Sequence, residues 1–310
     1  MAEQQERNII DLTVLNSGET VRGLLLIKDA SIRQASNGPY CLLTLTDGKQ
    51  DIQGKIWQYS GSVPNVGYGY QIVASVDEYK GQISLNVKRI VRDTTPGLEK
   101  EFRPTHDSPA RLFRQALVLI DEIKDEELAK AVKLVYKSLE ESIIEAPAAK
   151  VNHHAYVGGL LEHTLAVTEL ALDIAKGRDV DTDYIIAGGL LHDIGKTYAY
   201  KWSGMAISYT NEGMFEDHLP MSYNAWWNHA IVAELSELKA SKVAHIILSH
   251  HGKLEHGSPV LPRTPEAFIV HIADSTDSTL NYFKQAKEIT QDGDWSQRLW
   301  PLQRNIYVGD

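Results

Sequence analysis

The sequence predicts a multidomain protein in which an N-terminal all-β barrel is followed by an all-α domain. Residues 18–92 contain five short segments in which apolar and polar residues alternate, which is the period of a strand. From residue 110 onward, apolar residues recur at helical spacing. A stretch rich in proline, glycine and charge separates the two patterns. We therefore expect a β domain over residues 1–95, a linker over 96–109 and a helical domain over 110–310.

The composition predicts a globular protein of a reducing compartment. Hydrophobic residues make up 43% of the 310 residues and charged residues 23%, which suits a chain with a proper core. The only cysteine is Cys41, so an internal disulfide is excluded. No apolar run approaches the roughly 20 residues of a membrane helix, and the N-terminus lacks the apolar region of a signal peptide. We expect a cytoplasmic protein without a membrane partner.

The net charge of −10 is unevenly distributed along the chain. Residues 1–95 contain ten basic and ten acidic residues, so the whole deficit lies in the rest of the chain. An acidic helical domain argues against broad, nonspecific binding of duplex nucleic acid, which depends on many phosphate contacts. It leaves room for a local basic groove or for metal ions that hold a phosphate.

The five β segments predict a small barrel of the OB type. They are bounded by turn signals such as Asp47-Gly48 and are short enough for a five-stranded barrel. Such barrels commonly bind single strands through aromatic platforms beside basic side chains. The candidate nucleic-acid-binding residues are Arg33, Lys55, Trp57, Tyr79 and Lys80. In the alternative interpretation Trp57 and Tyr79 only cap the barrel core, since these barrels also serve as protein-interaction modules.

The helical region contains an ordered series of histidines and aspartates. One predicted helix over residues 156–176 places His163 on its apolar face, and His192-Asp193 ends a second apolar segment. Thr264 and Pro265 form a helix start that leads into Asp274. The full set of candidate metal ligands is His163, His192, Asp193, His218, His250 and Asp274, with His251 as the alternative to His250. Any one of these histidines alone could be a core or surface residue.

Six imidazole and carboxylate ligands exceed the four of a structural zinc site, and cysteines are missing. The set instead suits two divalent ions about 4 Å apart, which activate water and clamp the oxygens of a phosphoryl group. We expect Asp193 to bridge the ions, with His163 and Asp274 completing one site and His218 and His250 or His251 the other. The predicted catalytic residues are Asp193, Lys196, which can neutralise phosphate charge, and His251. Manganese, iron, cobalt and zinc all accept mixed ligands of this kind.

The order His163, His192-Asp193, Asp274 resembles the signature of the HD-domain metal-dependent phosphohydrolases. The resemblance extends over nearly the whole chain to the YhaM-type 3′–5′ exoribonucleases. It is carried by residues 147–164, 191–196, 249–252, 257–267 and 271–274, and in the β domain by Asn37-Gly38, Tyr40, Thr46-Asp47, 54–57 and 79–82.

The resemblance implies an OB domain that feeds a single strand of RNA or DNA into an HD nuclease, which removes nucleotides from the 3′ end. It also implies two divalent ions, with manganese as the expected metal, and self-assembly into a homo-oligomer. Lys150, His153 and His154 match the motif without an assigned role. The chain departs from the family pattern at Asp217, where a glycine is usual, at 275–278 and over 199–221, which predicts a divergent member.

Two other functions fit the same sequence. The first is an HD phosphohydrolase acting on a small nucleotide, with the barrel used for assembly or regulation. The second is a single-strand-binding protein whose HD domain has lost turnover, although every core ligand is present. A ladder of shortened products from a labelled oligonucleotide would separate the exonuclease from both.

Overall fold

The computed structural model describes residues 8–79, 81–150, 154–203, 205–299 and 302–309. The chain divides into two compact units. The first contains the described residues up to Pro104 together with those of 202–206, and the second contains residues 105–201 and the described residues from Ile207 onward. The predicted order of a β domain followed by a helical domain is confirmed. No helix in the described ranges is both long and apolar enough to cross a membrane.

The first unit is a five-stranded barrel. Its strands are β1 (Thr20–Ala35), β2 (Gly38–Thr46), β3 (Asp51–Trp57), β4 (Gly69–Tyr79) and β5 (Gln82–Arg92). They are hydrogen-bonded in the order β1-β2-β3-β5-β4, and β4 returns to β1. The β3–β5 contact is parallel and rests on two residue pairs, while the other four pairings are antiparallel. This is the architecture of an OB-like barrel, as the alternating segments predicted.

The apolar run in β1 is buried on both sides. Leu25 and Ile27 point into the barrel core, whereas Leu24 and Leu26 pack against Leu98 and Phe102 outside it. This second cluster explains why the segment is a continuous apolar run and does not alternate. At Gly54 on β3 a side chain would collide with Leu45, so glycine lets the core close at that point.

Part of the predicted linker therefore packs on the barrel. Leu98–Phe102 forms a 3₁₀ helix, and its first and last residues are both buried. The predicted boundaries at residues 95 and 110 stay a prediction. The compact units divide near Pro104, and the short segment 202–206 belongs to the first unit.

The second unit is built from ten helices in the part of the chain that the structure describes. Most of them pack around one apolar cluster that includes Trp226, Tyr136 and Ile185. The helices are α1 (Pro109–Asp121), α2 (Glu126–Ser138), α3 (Glu140–Glu145), α4 (Gly159–Ala175), α5 (Thr182–Leu191), α6 (Lys196–Ala199), α7 (Asn211–Glu216), α8 (His218–Val232), α9 (Glu237–Ser249) and α10 (Pro265–Ile289).

Two details of the helical pattern differ from the prediction. The helix expected to run from Leu128 through Ile143 breaks at Leu139 into α2 and α3. The helix expected from Tyr156 begins at Gly159, because Gly158 has a positive φ of 84°, which lies outside the helical region. At Gly159 a side chain would collide with the His154 carbonyl, so glycine allows the preceding turn to approach the helix. Thr264 caps α10 as predicted, its hydroxyl accepting from the Ala267 amide at 3.2 Å.

Short strands supplement the helices. Tyr200–Ser203 (β6) and Ala206–Tyr209 (β7) form a hairpin within the segment that departs from the family pattern. Asp294–Trp295 (β8) pairs with Tyr307–Val308 (β9) near the end of the chain. Helices therefore make up most of the regular structure of the second unit.

Candidate metal centre

Five helical segments bring the predicted ligands to one buried centre in the second unit. His163 lies on α4, His192 and Asp193 follow α5, and His218 is the first residue of α8. His250 and His251 follow α9, and Asp274 lies on α10. A cavity of about 490 Å³ opens onto the centre and is lined by residues that include His163, Asp193, Lys196, His250, His251 and Asp274.

Small residues allow these segments to approach one another. The amide of Gly195 donates to the hydroxyl of Ser222 on α8 at 2.8 Å. A side chain at position 195 would collide with the His218 carbonyl, so glycine lets the turn after Asp193 pack directly on the start of α8. Gly252, with a φ of 74°, gives the turn after His251 room beside the ring of His271.

The histidine rings are oriented in the same way. In each ring Nδ1 lies at hydrogen-bonding distance from an acceptor on the protein, which in a neutral imidazole leaves Nε2 as the ligand atom. The Nδ1 acceptors are Asp277 Oδ2 for His163 (2.7 Å), the Gly189 carbonyl for His192 (2.7 Å), Asp217 Oδ1 for His218 (2.7 Å), the Ile247 carbonyl for His250 (2.7 Å) and the His256 carbonyl for His251 (2.8 Å).

Asp193 lies at the middle of these rings. Its Oδ2 is 3.4 Å from His163 Nε2, 3.3 Å from His192 Nε2 and 2.6 Å from Lys196 Nζ. Its Oδ1 is 3.2 Å from His218 Nε2 and 3.6 Å from His250 Nε2. The side chain is 2% exposed, yet among the described residues neither oxygen has a hydrogen-bond partner with acceptable angles, and the Lys196 contact is an ion pair. A buried carboxylate in this state is costly, so the donor set suits a bound cation.

The ligand atoms form overlapping groups. One comprises His163, His192 and Asp274, with Asp274 Oδ1 3.2 Å from His163 Nε2. Another comprises His218, His250 and His251, and a third joins His192, Asp193 and His250 between them. In each group the ligand atoms lie within 4.8 Å of one another. The predicted residues are thus brought together in two neighbouring sets with Asp193 between them.

The two buried aspartates of the centre have lowered pKa values. Burial alone would raise the pKa of Asp193, but Lys196 and His192 outweigh it and hold that pKa well below its usual range. Burial likewise opposes the lowering at Asp274, where the hydrogen bond to His163 and the charge of His192 prevail. Both carboxylates are therefore ionised at neutral pH, as ligands must be.

The histidines fall into two electrostatic types. Burial and neighbouring His192 lower the pKa of His250, and burial and His218 lower that of His251. At His163 burial also acts to lower the pKa, but the carboxylates of Asp193, Asp274 and Asp277 together raise it well above its usual value. The carboxylates around His163 thus favour its protonated form, whereas burial favours the neutral form of His250 and His251.

Two carboxylates that the sequence did not assign contact the ligands. Asp277, one turn beyond Asp274 on α10, binds His163 Nδ1, and its Oδ2 is also 3.5 Å from His154 Nε2. His154 Nδ1 lies 3.0 Å from the Tyr156 hydroxyl, which in turn donates to Glu162. Asp217 Oδ1 lies 2.7 Å from His218 Nδ1. The hydrogen bond to that ring lowers the pKa of Asp217 to about 2.

The spacing of Asp277, three residues after Asp274, and the position of Asp217 beside His218 were the only sequence signals for these carboxylates. His153, which matches the family motif, lies outside the described residues.

The predicted nucleic-acid-binding residues lie on the barrel in two places. Arg33, Tyr40 and Trp57 form one row across β1, β2 and β3. The Trp57 ring is 40% exposed, lies 5.1 Å from that of Tyr40 and has Lys55 Nζ 5.8 Å away. Tyr79 ends β4 and pairs with Gln82, the first residue of β5, and its side chain is exposed. Lys80 lies outside the described residues.

The helical fold and the ordered His and Asp residues define an HD-domain metal-dependent phosphohydrolase. The HD domain family model matches residues 160–279, which include every predicted metal ligand. A second model, TraI_2, described as a candidate helicase, matches residues 110–199.

The chain is 32% identical over 304 residues to the 3′–5′ exoribonuclease YhaM of Bacillus subtilis, covering 94% of this chain and 95% of that relative. The chain therefore belongs to the YhaM family.

Proposed function

We propose that this protein is a metal-dependent 3′–5′ exonuclease of single-stranded RNA, with single-stranded DNA as a second substrate. One observation carries the proposal. Five imidazoles are anchored through Nδ1 around Asp193, a buried carboxylate whose oxygens receive no hydrogen bond of good geometry from the part of the chain that the structure describes. Such a centre suits metal-assisted hydrolysis of a phosphodiester. The activity named for the Bacillus subtilis relative supplies the substrate class and the direction of attack.

The residues divide into two ligand sets around Asp193. The first would be His163, His192, Asp193 and Asp274, and the second Asp193, His218 and His250. We assign His250 to this set because it is 1% exposed and its Nε2 faces Asp193 Oδ1. Two divalent ions, with manganese expected, would supply Lewis acidity for activating water and for neutralising phosphate charge.

The remaining polar residues of the cavity would act on the substrate. Lys196 is 12% exposed at its side chain and lies on the cavity wall, so its ammonium group can offer a charge-assisted hydrogen bond to a phosphate oxygen. His251 is less buried than His250 and also lines the cavity. Its Nδ1 is held by the His256 carbonyl, which leaves Nε2 to exchange a proton with the reacting water or the leaving oxygen.

The barrel would hold the single strand. The row of Arg33, Tyr40 and Trp57, with Lys55 beside it, combines an exposed aromatic face with two cations. Stacking of a base on Trp57 and contacts from Arg33 and Lys55 to phosphates would bind a strand without reading its sequence. We keep Tyr79 and Lys80 in this proposed surface as predicted.

The proposal is tested with single-stranded RNA and DNA oligonucleotides of one sequence, labelled at the 5′ end. We expect no cleavage in EDTA and, after addition of manganese, a ladder of labelled products that shortens from the 3′ end. An RNA labelled at the 5′ end and blocked by a 3′-phosphate serves as a control for the end requirement. Metal binding without shortening of either oligonucleotide would contradict the exonuclease proposal.

A small-nucleotide phosphohydrolase is the second candidate. The balanced charge of residues 1–95 provides no general attraction for a polyanion, and the cavity of about 490 Å³ lies within the range of single-ligand sites. Release of phosphate from mononucleotides or cyclic nucleotides, with intact oligonucleotides, would favour this function. The predicted cytoplasmic location, domain boundaries and homo-oligomer stay predictions alongside both candidates.

A further inference from the structure

Asp217 has a backbone conformation that an aspartate rarely adopts. Its φ is 63° and its ψ is 171°, a region that is populated almost only by glycine. Four other non-glycine residues in the described ranges have a positive φ, Gln58, His154, Glu234 and Gln303. Backbone strain of this kind persists only where neighbouring contacts enforce it, so the contacts of Asp217 need an explanation.

One oxygen of Asp217 contacts both the backbone nitrogen and the ring of the next residue, His218. Oδ1 lies 2.6 Å from the backbone nitrogen of His218 and 2.7 Å from its ring Nδ1. Because the same atom holds the main chain and the ring, it restricts the rotation of the imidazole. The opposite ring nitrogen, Nε2, then lies 3.2 Å from Asp193 Oδ1 and has no hydrogen-bond partner among the residues that the structure describes.

The position of His218 in its helix explains why its ring needs an acceptor from the Asp217 side chain. His192 and His250 stand at the ends of α5 and α9, and each ring bonds the carbonyl three residues earlier in its own helix. His218 is the first residue of α8, so no preceding turn of that helix offers a carbonyl to its Nδ1.

Helix capping is a different role, and the geometry argues against it. An ordinary N-cap residue has extended backbone angles and accepts from an amide two or three residues further on. Asp217 has a positive φ, and within the described ranges its side chain accepts from His218 alone. Its side chain is 65% exposed, so packing does not hold it in place either.

We propose that Asp217 is a positioning residue that holds His218 with Nε2 directed at the second ion site, and that the strained backbone is retained for this contact. The inference rests on the proposed two-ion centre. It predicts that removing the carboxylate stabilises the metal-free protein, because the backbone strain is relieved, but weakens metal binding. If Asp217 were purely structural, its removal would lower both the stability and the metal affinity.

The test uses Asp217→Gly and Asp217→Asn, with Glu234→Gly as the matched control. Glu234 also has a positive φ, of 59°, and is exposed. We expect both glycine variants to raise the midpoint of thermal unfolding of the metal-free protein by about 2 °C or more. Only Asp217→Gly should weaken binding of the second manganese ion, by roughly 10- to 100-fold in calorimetric titration. Asp217→Asn, whose amide oxygen can still accept from the ring, should restore part of the affinity.

A measurement on the metal-free protein separates this inference from the proposed function. Nitrogen-15 NMR of the histidine rings, with His218 assigned through His218→Gln, should show the Nδ1–H tautomer in the wild type and its loss in Asp217→Gly. If the wild type binds a single ion, the two-ion proposal fails while the ring spectra still test the positioning role. Unchanged His218 signals together with unchanged manganese affinity in Asp217→Gly would overturn the inference.

Discussion

Asp193 illustrates how a residue can be costly to the fold and necessary to the site. Both oxygens are buried, and the adjacent Lys196 pairs with one of them at 2.6 Å without a hydrogen bond of good geometry. Burying a carboxylate costs several kcal/mol unless it is compensated. The surrounding imidazoles leave their Nε2 atoms around it, so a cation at the proposed centre would compensate the carboxylate.

Replacing Asp193 tests this role directly. We expect Asp193→Ala to lower the rate of RNA hydrolysis by more than about 100-fold, since even residues behind the ligands of metal sites typically cost 10- to 100-fold. The helical content of the metal-free variant should stay close to that of the wild type, as measured by circular dichroism.

The control for that variant is Asp173→Ala. Asp173 pairs with Lys176 at the same sequence spacing and the same 2.6 Å distance, but both side chains are largely exposed. Full hydrolysis is expected from the control. A wild-type rate of RNA hydrolysis in Asp193→Ala would contradict the proposed metal centre.

Trp57 tests the barrel surface. A base stacked on an aromatic ring contributes about 1–3 kcal/mol, so Trp57→Ala should weaken oligonucleotide binding roughly 5- to 150-fold in fluorescence anisotropy. Trp295→Ala removes a tryptophan that is 63% exposed in the other unit and should leave the affinity unchanged. If both variants bind like the wild type, Trp57 only packs on Tyr40.

At the scale of elements, the start of α2 shows which contacts hold the helical unit together away from the site. The Asp125 side chain accepts from the Leu128 amide at 3.1 Å and pairs with Lys239 of α9 at 2.6 Å. The contact with Lys239, followed by the Leu128 hydrogen bond, lowers the pKa of Asp125 although partial burial opposes this. Because the folded-state pKa is depressed, the stabilisation is present above the usual value of 3.8 and is lost as the pH falls through the folded-state pKa.

We therefore expect Asp125→Ala to lower the free energy of unfolding by about 1 kcal/mol at pH 7, the usual value of an N-cap. The difference from the wild type should shrink below about pH 4, as followed by urea unfolding at several pH values. Glu127→Ala is the control, since Glu127 also contacts Lys239 but is exposed and does not cap the helix. An equal loss in both variants, or a difference independent of pH, would contradict the capping argument.

At the scale of the whole molecule, metal binding and stability should be linked within the helical unit. An ion that binds only the folded state, at a concentration of 100 times its dissociation constant, stabilises by about 2.7 kcal/mol. For a unit of this size we expect manganese to raise the midpoint of the corresponding thermal transition by roughly 5–10 °C, and EDTA to reverse it. The ligands all lie in the second unit, so a barrel transition should not respond. Differential scanning calorimetry with and without metal, repeated on Asp193→Ala, provides the check; an equal shift in that variant would refute the linkage.

The sequence alone determined the architecture and pointed to most residues of the proposed metal centre. Alternation of side chains in strands and their helical recurrence are local properties, so the five strands, the cap at Thr264 and the inward face of His163 could be predicted from neighbouring residues. The order of His163, His192, Asp193 and Asp274 predicted the proposed centre, because imidazoles and carboxylates are costly to bury without compensation.

Only the tertiary structure decided how these residues are oriented. The proposed choice of His250 over His251, and the contacts of Asp217 with His218 and of Asp277 with His163, depend on which groups meet across α4, α8, α9 and α10. The packing of Leu98 and Phe102 on the barrel is likewise a contact between segments far apart in the chain. Such distances and angles arise from the packing of the whole unit, and residue spacing carries no record of them.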